Sequence, residues 1–257
     1  MLVIVKDNYD QISKEAAQMV ADRLRKKPNL VLGLATGSTP LGLYRELIRM
    51  HKKEGLDFSK IITFNLDEYV GLLPTHKQSY AYFMNKNLFA HINIPQHSIH
   101  IPDGMAHDID GFCDWYEQEI QRVGGIDLQI LGVGANGHVA FNEPGSSLGS
   151  RTRVKTLTED TRKNNARFFK NKDEVPKYAL TLGVGTIMDA KELVVLASGS
   201  GKAAAIKAAA EGPLTAQCPA SVVQLHRKTF VIVDEEAGAK LTGLYPGSWK
   251  SSFMLER

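Results

Sequence analysis

The chain has 257 residues, 43% hydrophobic and 23% charged, the balance of an ordinary globular protein able to bury a substantial core. Lys and Arg exceed Asp and Glu by 31 to 28, a formal net charge of +3, too small for the footprint of a nucleic-acid or membrane-surface binder. Cys113 and Cys218 form no CxxC pair, no apolar run approaches a membrane span, and the apolar start Leu2 to Val5 ends too soon for a signal-peptide core. A reducing, cytoplasmic setting is expected.

In chain order, Leu2 to Val5 reads as a short buried strand. Helical spacing of Ile12, Ala16, Met19, Val20 and Leu24 predicts a helix over Asp10 to Lys27, closed by Pro28 and Asn29. Leu30 to Ala35 is a second apolar run, followed by Thr36-Gly37-Ser38-Thr39-Pro40 and a helix carrying Leu43, Tyr44, Leu47 and Ile48. Thr39 is placed to cap that helix and Pro40 to occupy its first turn. Ile61 to Leu66 is the next strand, ending in Asp67-Glu68-Tyr69. Helices are expected over Ser79 to Ala90 and Ile109 to Val123, then a strand over Asp127 to Gly132. Gly145 to Arg167 is polar and reads as loop or short helix. Tyr178 to Val184, Glu192 to Ala197 and Thr229 to Val233 supply further buried strands, with an alanine-rich helix over Gly201 to Glu211.

Strands and helices alternate and the strands are almost continuously apolar. That pattern predicts one α/β domain over residues 1–257, with a mostly parallel sheet covered by helices on both faces. Ligands of such sheets bind beyond the carboxyl ends of the strands. Four polar clusters stand there: Thr36 to Thr39, Asp67-Glu68, the stretch LGVGANGHVAFNEP from Leu131 to Pro144, and Ser198 to Lys202.

Each cluster has a plain alternative. Gly132-x-Gly134-x-x-Gly137 formally matches a dinucleotide fingerprint, but Pro144-Gly145 interrupts the helix it requires and no acid ends a second strand at the right distance. Nicotinamide binding is rejected. ATGSTP serves an anion site and an ordinary capped turn equally well, and it lacks the Gly-Lys-Ser/Thr of a nucleotide loop. Lys202 opens a helix, where the dipole disfavours a cation by about 0.3–1 kcal/mol, so a bound phosphate is the better reading. Asp67 alone reads as a turn residue, and His138 alone as a structural histidine. With Asn136 two residues before and Glu143 five after, a histidine oriented for proton transfer becomes the better reading of His138. His97, His100 and His107 lack the partners of a metal site, and no metal is expected. Arg151, Arg153, Arg162 and Arg167 read most simply as a solvated basic face, from which one or two guanidiniums could clamp a phosphate.

Taken together, GLATGSTPLGLY, FNLDEYVGL, LGVGANGHVAFNEPGSSLGSRTRVKTLT, NNARFF, PKYALTLGVGTI and SGSGKA closely resemble the glucosamine-6-phosphate isomerase/deaminase family, from about Leu30 to Leu225. The resemblance implies a Rossmann-like fold and conversion of glucosamine 6-phosphate with water into fructose 6-phosphate and ammonia, in amino-sugar catabolism, without a cofactor. Position by position, Asp67 matches the base that moves a proton between C2 and C1. His138 matches the residue that opens the sugar ring, and Glu143 the carboxylate that orients it. Asn136 stands where many members carry Asp. Thr36, Gly37, Ser38, Thr39, Arg167 and Lys202 match the phosphate-binding set, and the segment from Arg153 to Tyr178 matches a lid over the site.

Ser146, Ser147, Arg153, Lys155 and Thr156 match positions that bind an acetylated sugar effector in allosteric members. The carboxyl end of this chain does not match the longer tails of those members, so the resemblance sets neither activation nor a choice between monomer and homo-oligomer. The rivals are a 6-phosphogluconolactonase, whose hydrolysis needs no C2 base, a sugar-phosphate sensor, which would carry a DNA-binding segment, and a ribose-5-phosphate isomerase, which lacks amine-specific features. The expected partner is a small sugar phosphate, with neither nucleic acid nor membrane.

Overall fold

A computed structural model of the chain describes residues 1–166, 169, 174–243 and 245. Its centre is a parallel sheet of seven strands. They are β1 (Leu2–Lys6), β2 (Val31–Leu34), β3 (Ile62–Asn65), β5 (Ile99–His100), β6 (Leu128–Gly132), β9 (Leu193–Ala197) and β10 (Thr229–Asp234), in the order β1-β10-β9-β6-β2-β3-β5. The strands read as continuous apolar runs because both faces are covered. Val194, Leu196 and Ile232 face one core with α1 (Tyr9–Lys26), α2 (Leu41–Glu54) and α3 (Tyr80–Asn87). Leu193, Val195, Val231 and Val233 face the other, with α4 (Ile109–Arg122), α6 (Val184–Met188), α7 (Ala203–Glu211) and α8 (Glu235–Gly238). Each such aliphatic side chain contributes about 1.5–3 kcal/mol on full burial. Among the described residues no helix is long and apolar enough to cross a membrane.

After β2 the chain moves to β3 on one side; after β6 it moves to β9 on the other. β2 and β6 are neighbours, paired through Leu32–Leu128 and Gly33–Gln129, so the strand order reverses between them. That reversal opens a crevice at the carboxyl edge. All four polar clusters follow β9, β6, β2 and β3, which are consecutive in the sheet.

A second, three-stranded antiparallel sheet stands past this edge, in the order β4-β8-β7, formed by β4 (Asp67–Tyr69), β7 (Arg153–Thr156) and β8 (Tyr178–Thr181). It corrects two expectations. Tyr178 to Val184 is not a strand of the main sheet: β8 pairs with Asp67–Tyr69, and Gly183 already starts α6. Its Ala179 is buried against Tyr69, Phe141 and Leu157, while Tyr178 at its start is exposed. The polar stretch after Gly145 likewise contains a strand, β7, as well as α5 (Glu159–Ala166), because β8 supplies the partner that local sequence does not reveal. The segment expected as a lid thus contributes β7 and α5, while residues 167, 168 and 170–173 lie outside the described residues.

Candidate active site

The turn after β2 presents open backbone donors. The backbone N–H groups of Gly37, Ser38 and Thr39 find no acceptor among the described residues, and they lie at the start of α2, where the helix dipole favours negative charge. Thr39 does not cap that helix. The cap position is Pro40, with no side-chain hydrogen bond. The Gly42 N–H instead donates to the Tyr9 hydroxyl at 2.7 Å, and that hydroxyl reaches the Ser38 and Thr39 carbonyls at 3.0 Å each. A residue of α1 therefore fixes the turn and leaves the Thr39 side chain unused in capping. In the SGSGK turn, the Gly199 and Ser200 N–H groups are taken by Asp234 and Glu236 at 3.1 and 3.2 Å. The positive charge this turn offers is that of Lys202, at the cap position of α7. Arg167 lies outside the described residues.

The β6 turn presents the histidine. A Cβ at Gly134 would fall 2.2 Å from the His138 ring, so only glycine lets the imidazole fold back over this backbone. Gly137 has φ +84°, a left-handed conformation, and a Cβ there would also meet the Cys218 sulfur at 2.5 Å. Behind the ring, Asn136 Nδ2 donates to Glu143 Oε2 at 2.8 Å, which leaves Asn136 Oδ1 turned toward His138. That oxygen accepts from the His138 backbone N–H at 3.2 Å and from ring Nδ1 at 2.7 Å. An amide oxygen only accepts, so the neutral ring carries its proton on Nδ1 and leaves Nε2 as the free base. Glu143 lies 3.7 Å from Nδ1 and acts chiefly through Asn136, which sharpens the expected direct pairing. Burial holds the His138 pKa below its usual value; Glu143 opposes this and Lys202 adds to it.

Asp67 stands in the opposite environment. It is 6% exposed, and its Oδ1 is buried with no hydrogen-bond partner among the described residues. Burial first, and the neighbouring Glu68 charge second, push its carboxyl up to about 8. Strand alternation separates the two acids. Glu68 accepts the N–H groups of Tyr69, Tyr80 and Ala81 at 2.8–2.9 Å and so anchors the start of α3. That places Tyr80, whose pKa is pushed up by burial first and by the neighbouring Tyr69 and Asp67. Tyr80 stacks on Phe141 with ring centres 6.0 Å apart. The charge of Lys202, from the SGSGK turn, reaches His138.

The family model for glucosamine-6-phosphate isomerases/6-phosphogluconolactonase matches residues 6–232. The chain belongs to this family. Within the isomerase/lactonase family it is 55% identical over 239 residues to the glucosamine-6-phosphate deaminase of Thermoanaerobacter sp. (strain X514), covering 93% of this chain and 94% of that one. To the glucosamine-6-phosphate deaminase of Clostridium perfringens (strain SM101 / Type A) it is 52% identical over 241 residues, covering 94% and 99%. A solved monomeric glucosamine-6-phosphate deaminase superposes with a TM-score of 0.92 at 46% identity, over 94% of this chain and 100% of that one. The 6-phosphogluconolactonase of Trypanosoma brucei shares the fold, with a TM-score of 0.76 at 18% identity over 94% and 98%.

In this family member the structure brings Asn136, His138 and Glu143 into one hydrogen-bonded group and seats Asp67 two strands away in the main-sheet order. The other singled-out residues are placed differently. Among the described residues no three metal-ligating side chains come together. His100 stacks on Phe64 at 4.5 Å. Arg151 pairs with Glu117 and Asp189, Arg162 pairs with Glu159, and Arg153 donates to Asn142 at 2.8 Å, so these are engaged side chains rather than a free basic face. Sequence reasoning missed Tyr9, Glu68 and Tyr80, which act by positioning and carry no motif of their own; only the Asp-Glu-Tyr string at 67–69 pointed toward one of them.

Proposed function

We infer that the chain isomerises and deaminates glucosamine 6-phosphate, forming fructose 6-phosphate and ammonia with the consumption of one water. The observation that carries this reading is a donor-poor buried carboxyl, a histidine of fixed tautomer and an open anion turn, all following neighbouring strands at one edge of the main sheet. The turn Thr36 to Thr39 and Lys202 would hold the phosphate, joined by Arg167, so that C1 and C2 reach the acid–base groups. His138 Nε2 would take the proton of the C1 hydroxyl and return it to the ring oxygen, opening the ring. Asp67 would remove the C2 proton and deliver one to C1, leaving an imine at C2 that water hydrolyses. The ammonium group of the bound sugar, next to C2, favours the ionised form of an acid otherwise pushed up to about 8.

A lactonase has no use for such a C2 base, and identities of 52–55% to chains named as deaminases support the deaminase reading. The scheme uses side chains and water alone and calls for no cofactor. Residues 1–257 would act as one cytoplasmic domain, with the segment over 153–178 as its lid. The deciding experiment supplies glucosamine 6-phosphate and measures ammonium and fructose 6-phosphate together. Equal release of both is expected; binding without turnover would instead favour a sensor.

A further inference from the structure

The Glu143 carboxylate is 6% exposed, and each of its oxygens has one donor. Oε2 takes the Asn136 amide at 2.8 Å. Oε1 takes the hydroxyl of Thr161, which comes from a different part of the fold, the first turn of α5. The Thr161 hydroxyl is not needed to start that helix. Thr158 already accepts the Thr161 N–H through its side chain at 3.2 Å and the Arg162 N–H through its carbonyl at 2.9 Å. The Thr158 hydroxyl then donates to Thr161 Oγ1 at 3.1 Å, which leaves the Thr161 proton directed at Glu143.

We propose that Thr161 is a positioning residue for ring opening: it turns Glu143 so that Asn136, and through it His138, holds one orientation and one tautomer. This rests on the functional reading above. Hydrogen bonds run without a gap from Thr158 to Thr161, Glu143, Asn136 and His138. Without the Thr161 proton, Oε1 of a buried carboxylate loses its donor. The carboxylate then gains by rotating toward any other donor or toward water, and the Asn136 amide loses the constraint that keeps its oxygen on Nδ1. The charged groups facing the imidazole are Glu143, after β6, and Lys202, after β9; on α5, Glu159 and Arg162 pair with each other at 3.4 Å. None of these takes over the donation to Oε1. Placement of α5 thereby becomes a condition for a competent histidine.

The test compares Thr161→Val, which keeps the shape and removes the donor, with Thr161→Ser, which keeps the donor. Valine should lower kcat about tenfold, the size of one hydrogen bond to a charged group, and leave KM within about twofold. The lower, histidine step of the kcat/KM profile should move to lower pH, because a ring without its Nδ1 acceptor holds its second proton less tightly. Serine should restore both. In a Glu143→Gln background, threonine and valine at 161 should turn over equally, which a folding defect would not produce. Valine behaving as the parent, serine doing no better than valine, or full additivity with Glu143→Gln would overturn the proposal. A parent chain that releases no ammonium would overturn the functional reading and this inference with it; normal parental turnover with an indifferent valine overturns this inference alone.

Discussion

Asp67 and His138 emerge from the same edge of one sheet, yet their surroundings are opposite. The acid lies among tyrosines, with no donor to its inner oxygen, and its pKa is pushed up to about 8. The imidazole is a third exposed and tied through Asn136 to a buried carboxylate, and its pKa is held down. Both shifts favour the uncharged form, and burial is the first cause of each. What separates the two is the supply of partners: the histidine half is organised by hydrogen bonds, the aspartate half by their absence. An acid without partners is a stronger base than a solvated one, and a histidine with a fixed Nδ1 partner is a better-aimed one.

The sharpest way to break this contrast is Asp67→Asn. Turnover should fall by roughly 10³-fold, within the usual span for a general base, with sugar-phosphate binding retained. The same change should stabilise the fold. Asp67 has a folded-state pKa near 8 against 3.8 for the free group, so the native state holds a proton that the unfolded state releases. Stability is therefore lost as pH rises between those values, and the asparagine variant escapes the loss. The gain, roughly 2–4 kcal/mol at pH 7, should shrink to nothing by about pH 4 in denaturant melts. A variant that is both inactive and less stable would contradict the donor-poor account.

Lys202→Met comes next. Losing the charge proposed to hold the phosphate should raise KM about 10- to 100-fold with a much smaller change in kcat, and inorganic phosphate should inhibit the variant less well. In the parent, kcat/KM should rise with pH in two steps, a lower one as His138 gives up its second proton and an upper one near 8 as the free acid ionises, while the upper limb of kcat lies lower because the bound ammonium favours the carboxylate. Coincident limbs would mean that the substrate charge does not reach Asp67. The smallest effect is expected from Asn136→Asp. The variant should stay active, with the histidine step of its profile moved up by about one pH unit, since a carboxylate beside Nδ1 favours the imidazolium. Abolished turnover, or a profile identical to the parent's, would remove Asn136 from the histidine half.

The main sheet was legible in the sequence because each of its principal strands is an apolar run closed by a turn, and position at a strand end alone marked all four clusters. The small sheet was not. Arg153–Thr156 is polar and half-buried, and it becomes a strand only because Tyr178–Thr181 lies beside it. Asp67 read as the residue after a strand, whereas it opens a strand of its own. Thr39 had the right residue type and position for a cap, yet the Tyr9 hydroxyl from another helix took that place. The histidine group was legible as residues but not as an order of contact, since spacing of two and five residues does not say that the amide stands between ring and carboxylate. Thr161 carried no signal at all, being one hydroxyl in a polar stretch.

One further consequence lies in Leu66. Its N–H donates to Leu34 in the parallel sheet at 3.1 Å, and its carbonyl accepts from Leu182 at 2.8 Å, beside the antiparallel one. The chain passes from one sheet to the other within this single residue, and Asp67 follows at once. Loosening the acid would therefore require breaking a rung of the core, so amide exchange around Asp67 should be as slow as in β3. The turn that carries His138 has no such seam and is free to exchange first. Under mild denaturing stress this protein should lose the means to open a sugar ring while still holding, in place, the group that would act on an opened one.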